Sequence, residues 1–285
     1  MARSVRQALP SAAMVEGDSR RIAFTVQYDG GPYFGWQLQR NRRSVQGELE
    51  AALARLFVRP ARVLGSGRTD RGVHATGQVA SVDAPIQWEP RELKRAMNAL
   101  LPPEVRVAHA NDVAPGFHPR YAATARSYVY RIGVAAATTS PFHSRWCWAL
   151  QRELDADAMA RASEDVVGDL SFRAFAKAGQ EHRGDRCIVT SAHWERWDTM
   201  GLAFHVTANR FLHHMVRYLV GTFVEVGLGR RPGEDVARLL NGEGGVVTSP
   251  PAPAHGLFLA SVSYPPDAYR EPRDDLLESL PPKIV

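Results

Sequence analysis

The densest run of reactive side chains is Gly65-Ser66-Gly67-Arg68-Thr69-Asp70-Arg71-Gly72-Val73-His74. Its glycines let the backbone turn sharply and leave room for a ligand to approach. One carboxylate, Asp70, stands between Arg68 and Arg71, which hold it ionised at neutral pH and can also meet phosphate. A carboxylate in that setting is equipped to act as a base or nucleophile beside an anion. A glycine-framed Asp in a loop is otherwise a turn former that caps backbone N–H groups, and the run alone leaves both readings open. Other reactive groups are sparser. His74 and the His213–His214 pair have no carboxylate or cysteine at ligand spacing and read as structural, so no metal site is expected. Cys147 and Cys187, the only two cysteines, stand far apart and suggest buried thiols, neither a disulfide framework nor a zinc site. No dinucleotide fingerprint and no Walker loop occurs. The nearest acid downstream, Asp83, falls on the solvent side of a strand, which argues against the paired carboxylates of a glycosidase.

The elements that must position Asp70 follow from periodicity. A strand at Arg21–Tyr28 precedes a helix whose apolar residues Val45, Leu49, Ala52, Leu53 and Leu56 recur at helical spacing behind Ser44 as N-cap. Strands at Ala61–Leu64 and Gln78–Val82 flank the glycine-rich loop. A second helix carrying Leu93, Met97, Leu100 and Leu101 and a strand at Val105–Val113 complete the order β-α-β-β-α-β. The order then recurs. Ser127–Val134 alternates as a strand, with Tyr128, Tyr130, Ile132 and Val134 on one face, and a helix follows over Asp155–Val167. Cys187–Trp197 and Leu202–Ala208 form a hairpin, and a long helix runs from Phe211 to Val226. On that helix His214, Arg217, Tyr218 and Gly221 share a face opposite Leu212, Met215 and Leu219. A short helix at Glu234–Leu240 and a strand at Leu257–Tyr264 close the second half.

The fold class expected is therefore α+β: two ferredoxin-like βαββαβ halves with antiparallel-rich sheets flanked by helices. The sheets can join edge to edge and leave one face free for a broad cleft. The boundaries are a disordered tail over 1–19, one half over 20–120 with the reactive loop at 65–75, the other half over 121–264, and a tail over 265–285. In the last segment Leu276, Leu277 and Leu280 are able to dock locally. Arg3 and Arg6 among small residues resemble an organelle transit peptide, but Glu16 and Asp18 favour a plain tail.

Composition bounds the partners. The chain has 285 residues, is 45% hydrophobic and carries a formal charge of +5, the cationic groups being nearly all arginine. The guanidinium fork binds phosphate bidentately and stacks on bases, so a polyanionic partner fits. No apolar run approaches the roughly 18 residues needed to span a bilayer, and a cytoplasmic location is expected.

At this point the residues match a known pattern. Gly67-Arg68-Thr69-Asp70-Arg71-Gly72-Val73-His74-Ala75 resembles the signature G-R-T-D-A-G-V-H-A of the tRNA pseudouridine synthase A family. Tyr28-Asp29-Gly30 with Gly35-Trp36-Gln37, Ser44-Val45-Gln46, and Phe117-His118-Pro119-Arg120 stand in the family's order. So do Ala123-Thr124-Ala125-Arg126 with Tyr128 and Tyr130, His213-His214-Met215-Val216-Arg217, and Ala252-Pro253-Ala254-His255-Gly256-Leu257. The resemblance covers about residues 20–264 and departs from the pattern at Arg71, where the family has Ala.

The resemblance implies the pseudouridine synthase fold and isomerisation of uridine to pseudouridine at positions 38–40 of the tRNA anticodon arm. It implies Asp70 as the catalytic residue and Arg217 as the arginine paired with it. Tyr128 is then the aromatic residue stacked on the target base, and Leu257 packs on the base's other side. Arg68 helps flip the nucleotide and fills the gap it leaves. Arg71, Arg120 and Arg126 are RNA contacts, joined by Arg183 or Arg186, of which Arg186 is taken, in a segment (176–186) that matches less closely. The family works as a homodimer without a cofactor, and magnesium serves only the RNA's own folding. Three other readings share some of these features: a non-catalytic RNA-binding module with the ferredoxin-like order, a glycosidase or nucleoside hydrolase, and a pseudouridine synthase of other specificity. The first has no use for Asp70 and the second needs another acid.

Overall fold

The structure, a computed structural model, describes residues 19–177 and 184–269. Of the tails expected at 1–19 and 265–285, residues 1–18 and 270–285, with Leu276, Leu277 and Leu280, lie outside the described residues, as does Arg183. The rest is not tail, since Ser19 begins the first strand and 265–269 dock on the body, with Ala268 buried and Tyr269 bridged to Val113.

The first half contains β1 (Ser19–Tyr28), α1 (Val45–Phe57), β2 (Leu64–Gly65), β3 (His74–Pro85), α2 (Pro90–Leu100) and β4 (Val105–Asp112). The second contains β5 (Ala125–Gly133), β6 (Trp148–Ala149), α3 (Ala156–Glu164), β7 (Gly168–Ser171) and β8 (Arg186–Trp197), then β9 (Gly201–Ala208), α4 (Met215–Gly227), α5 (Asp235–Leu240) and β10 (Leu257–Ser263). Both halves have the expected α+β order, but they share a single ten-stranded sheet instead of two. Its order is β4-β1-β3-β10-β5-β9-β8-β7, with β2 on β3 and β6 on β5. All pairings are antiparallel except β5 with β6 and β10 with β3.

The β3–β10 pairing fixes the site. One edge of β3 is taken by β1, and the other is divided: Ala80 and Ser81 pair with Gly65 and Leu64 of β2, while His74 and Ala75 pair with Phe258 and Leu259 of β10. The reactive loop springs from the point where β2 leaves that edge and β10 arrives.

Local chemistry explains most boundaries. Ser44 caps α1 by accepting from the Gly47 N–H at 3.3 Å, and Asp155 caps α3 through the Ala158 N–H at 2.8 Å. β2 is shorter than the strand expected at Ala61–Leu64 because α1 captures the Val63 backbone. Glu50 accepts from the Val63 N–H at 3.0 Å and Gln46 donates to its carbonyl at 3.2 Å, so no ladder is needed there. β3 begins at His74, earlier than the expected Gln78. β6 and β7, with two and four residues, are too short to show a period and were not anticipated. α4 starts at Met215 and not Phe211, because His214 takes a left-handed conformation with φ of 67°.

Two apolar clusters sit on the sheet. One gathers Ile22, Phe24, Leu49, Leu53, Leu93 and Met97; the other gathers Tyr130, Ile132, Phe204, Leu219, Val220 and Phe223. Burying each such side chain contributes about 1.5–3 kcal/mol. They are not sealed from one another, since Leu259 and Val262 of β10 join the first and Val73 joins the second. Among the described residues no helix is long and apolar enough to cross a membrane.

Candidate active site

The loop carrying Asp70 is held from below by the chain after β1. The Trp36 N–H donates to the Thr69 carbonyl at 3.0 Å, and the Tyr28 and Thr69 hydroxyls meet at 2.7 Å. Gly35, at φ of 93°, lies so close that a Cβ there would stand 2.5 Å from the Thr69 carbonyl oxygen. Gly35→Ala therefore forces the loop away and adds backbone strain; the expected cost is about 2 kcal/mol of stability with a several-fold loss of activity, read by denaturant titration. An unshifted denaturation midpoint would count against this packing.

Above the loop, the His213–His214 turn that precedes α4 and Arg217 in the first turn of α4 bring three groups to one carboxylate. The Asp70 side chain is 27% exposed. His213 Nε2 lies 3.1 Å from Oδ1, His214 Nε2 3.2 Å from Oδ2, and Arg217 Nη1 3.8 Å from Oδ2. The left-handed turn at His214 lets consecutive imidazoles, centroids 4.2 Å apart, reach both oxygens of the same group. To donate to an ionised carboxylate each ring must carry its proton on Nε2. Arg217 is fixed in turn: its Nε donates to the Ala252 carbonyl at 2.7 Å. That carbonyl is near because Gly221 admits the 250–252 backbone against the helix, where a Cβ would stand 2.1 Å from the Pro250 oxygen.

Tyr128, on β5 at the seam, is the aromatic wall. Its ring meets Phe211 edge to face at 4.9 Å. Burial, reinforced by the nearby Asp70 charge, pushes its phenol up to about 12, so it stays protonated at neutral pH. Leu257 is buried at the start of β10 opposite Tyr130, whose hydroxyl donates to the Pro253 carbonyl at 2.8 Å.

Asp70, His213 and His214 also have donor atoms close enough to ligate a metal, all within 4.8 Å. The donor set does not favour one: each imidazole already faces a carboxylate oxygen, and the Arg217 guanidinium repels a cation at the same group.

The histidines expected to be structural thus divide. His74 is: its Nδ1 meets the Gly30 N–H at 2.9 Å and its Nε2 lies 3.1 Å from the Arg145 carbonyl. His213 and His214 are not, and their partner lies 143 residues from His213 in sequence, where no spacing rule finds it.

The arginines also divide. Arg68 is exposed and, among the described residues, unpaired, two positions before Asp70. Arg71 is exposed with its guanidinium 4.4 Å from the Phe34 ring centroid. Arg120 is exposed on the turn beside Tyr121. Arg126, expected at the RNA surface, turns inward instead, donating to the carbonyls of Ser66 at 3.1 Å, Asn209 at 3.0 Å and Arg120 at 2.7 Å. The guanidinium thus ties the reactive loop to both neighbouring segments. Arg186, also expected at RNA, pairs with Asp169 at 3.1 Å on the outermost hairpin of the sheet.

The family model described as tRNA pseudouridine synthase matches residues 24–122 and 162–265. The chain belongs to that family. Among its relatives, tRNA pseudouridine synthase A of Geobacter sulfurreducens is 40% identical over 245 residues, covering 86% of this chain and 100% of its own. The proteins of that name in Cereibacter sphaeroides and Halalkalibacterium halodurans are 37% and 38% identical, covering 87% and 84% of this chain and 99% and 90% of theirs. The matched blocks contain Asp70 and the whole of α4, while Tyr128 falls in the stretch between them.

Histidine burial in the family member described here gives a pH prediction. Desolvation pushes His214, His205 and His255 below their ordinary value, against the raising charge of Asp70 on the first and Glu195 on the second. Near pH 6 the unfolded chain then binds more protons than the folded one, so stability is full above about 6.5 and is lost as pH falls. The urea midpoint is expected to be lower at pH 5.5 than at 7.5; an equal or higher midpoint at 5.5 contradicts the assignment.

Proposed function

We infer that this chain isomerises uridine to pseudouridine in tRNA, and that its targets are positions 38–40 of the anticodon arm. The observation that carries the reading is a single carboxylate, Asp70, held at both oxygens by imidazoles beside an aromatic wall, in a chain of the tRNA pseudouridine synthase family. The reaction breaks the bond from C1′ to N1, turns the uracil and joins C1′ to C5; the C5 proton is released and N1 takes up a proton, so the product is an isomer of the substrate. It calls for one carboxylate as nucleophile or base, with no redox partner and no second acid.

In this reading Asp70 reacts and Arg217 orients the carboxylate. Tyr128 and Leu257 enclose the everted base, the phenol remaining a neutral donor. Arg68 enters the space the nucleotide vacates, offsetting part of the few kcal/mol that unstacking costs. Arg71 and Arg120 meet the RNA. Arg126 positions the loop and is withdrawn from the RNA-contact set, and Arg186 contacts RNA only by exchanging Asp169 for phosphate, an inexpensive exchange for an exposed pair. Residues 20–120 and 121–264 serve as two halves whose seam carries the chemistry. The family resemblance supports a homodimer in the cytoplasm, which light scattering of the purified protein checks for its first part.

The test uses tRNA tritiated at C5 of uridine. The native protein is expected to release the label and to leave pseudouridine at positions 38–40. Tight tRNA binding without release overturns the reading in favour of a non-catalytic RNA-binding module.

A further inference from the structure

We propose that Arg42 and Arg71, seated together on the Phe34 ring, form a phosphate clamp that grips the RNA backbone at the rim of the Asp70 site. The inference rests on the reading of the substrate as RNA and adds a site within it.

Three observations carry it. The first is the seat: the guanidinium carbons of Arg42 and Arg71 each lie 4.4 Å from the Phe34 centroid, and hence no more than about 9 Å from one another. Phe34 is a fixed platform, its N–H donating to the Arg43 carbonyl at 2.9 Å and its carbonyl accepting from Gln39 Nε2 at 2.8 Å. The second is the absence of a counter-charge. Both arginines are exposed, and among the described residues neither has an ion pair or hydrogen bond through its side chain. The neighbouring Arg43 shows the alternative, paired with Glu48 at 3.0 Å. The ring holds each side chain by about 0.5–1 kcal/mol per exposed cation–π contact but carries no net charge, so both positive charges stay unneutralised. An anion beside them supplies the missing counter-charge. The third is chemistry: each guanidinium carbon sits over the ring, which takes up none of the N–H donors, so these stay available to a ligand. Those donors match two oxygens of a phosphodiester.

Sequence adds that Arg71 follows Asp70 directly, so the clamp is placed one residue from the reacting carboxylate. The ligand class is the phosphodiester backbone of a single-stranded or looped RNA, not a base.

The test measures binding of the unmodified tRNA transcript to the full-length native protein, R42A, R71A and the double variant from 50 to 300 mM KCl. Each lost phosphate contact is expected to flatten the slope of log K against log[KCl] by about 0.7–0.9, the double variant losing about twice that. Affinity at 100 mM KCl is expected to fall about fivefold for each single substitution. Slopes equal to native overturn the proposal, whether affinity falls, as it would if a base were stacked there, or stays unchanged. Tritium release by the native protein, run beside it, reports on the enzyme reading separately. Without release that reading fails, while the slopes still decide whether the pair holds phosphate.

Discussion

Asp70→Asn is expected to lower label release from C5-tritiated tRNA by at least about 10⁴-fold while leaving tRNA affinity within about threefold. Four decades correspond to about 5.5 kcal/mol of lost transition-state stabilisation. The substitution keeps the shape and removes the charge, so a nucleophile or base becomes an amide that is neither. Structure should survive. One amide oxygen still accepts from an imidazole, and the facing ring meets the amide N–H by moving its proton to Nδ1. Arg217 keeps its bond to the Ala252 carbonyl. Separating chemistry from binding is what makes the result decisive: an Asn variant that retains more than about a hundredth of the native rate removes Asp70 from the reaction.

Arg126→Ala is expected to reach further than its distance from the reacting carboxylate suggests. Three carbonyls, from Ser66, Arg120 and Asn209, converge on this guanidinium. Hydrogen bonds to charged groups are each worth about 1.5–3 kcal/mol, and water enters the gap only in part, so the expected loss of stability is about 4 kcal/mol. Because Ser66 begins the loop that ends at Asp70, kcat is expected to fall about tenfold in the fraction that remains folded. The salt dependence of tRNA binding should be close to native, since the group faces carbonyls and not solvent. Chemical denaturation and the slope of log K against log salt together check this. A stable variant with a flattened slope would restore Arg126 to the RNA surface.

That reversal shows where sequence reading succeeds and where it stops. Helix α1, behind Ser44, and the alternation from Tyr128 to Ile132 are local patterns, set by residues a few positions apart, and both are found as expected. Asp70 stands out because glycines and arginines surround it within ten residues. The two imidazoles on its carboxylate do not stand out, since contact between residues 70 and 213 is created by the β3–β10 crossover. The carbonyl partners of Arg126 are hidden for a related reason: which backbone oxygens an arginine on a strand reaches depends on which carbonyls neighbouring loops deliver. The merging of two sheets into one rests on two residue pairs, Phe258 with His74 and Leu259 with Ala75, too few to leave a signal.

Those two pairs also bear on how the molecule is made. β3 and β10 are some 180 residues apart in the chain, so the lower stretch of β3 stays bare on one edge until the segment around residue 258 has left the ribosome. An uncovered strand edge invites pairing with another chain, and contacts of such long range form late. The nascent protein therefore spends most of its synthesis with its future reaction centre open and sticky, and a stall before residue 257 leaves a product prone to aggregate. Chaperone demand during translation should drop once that final strand docks.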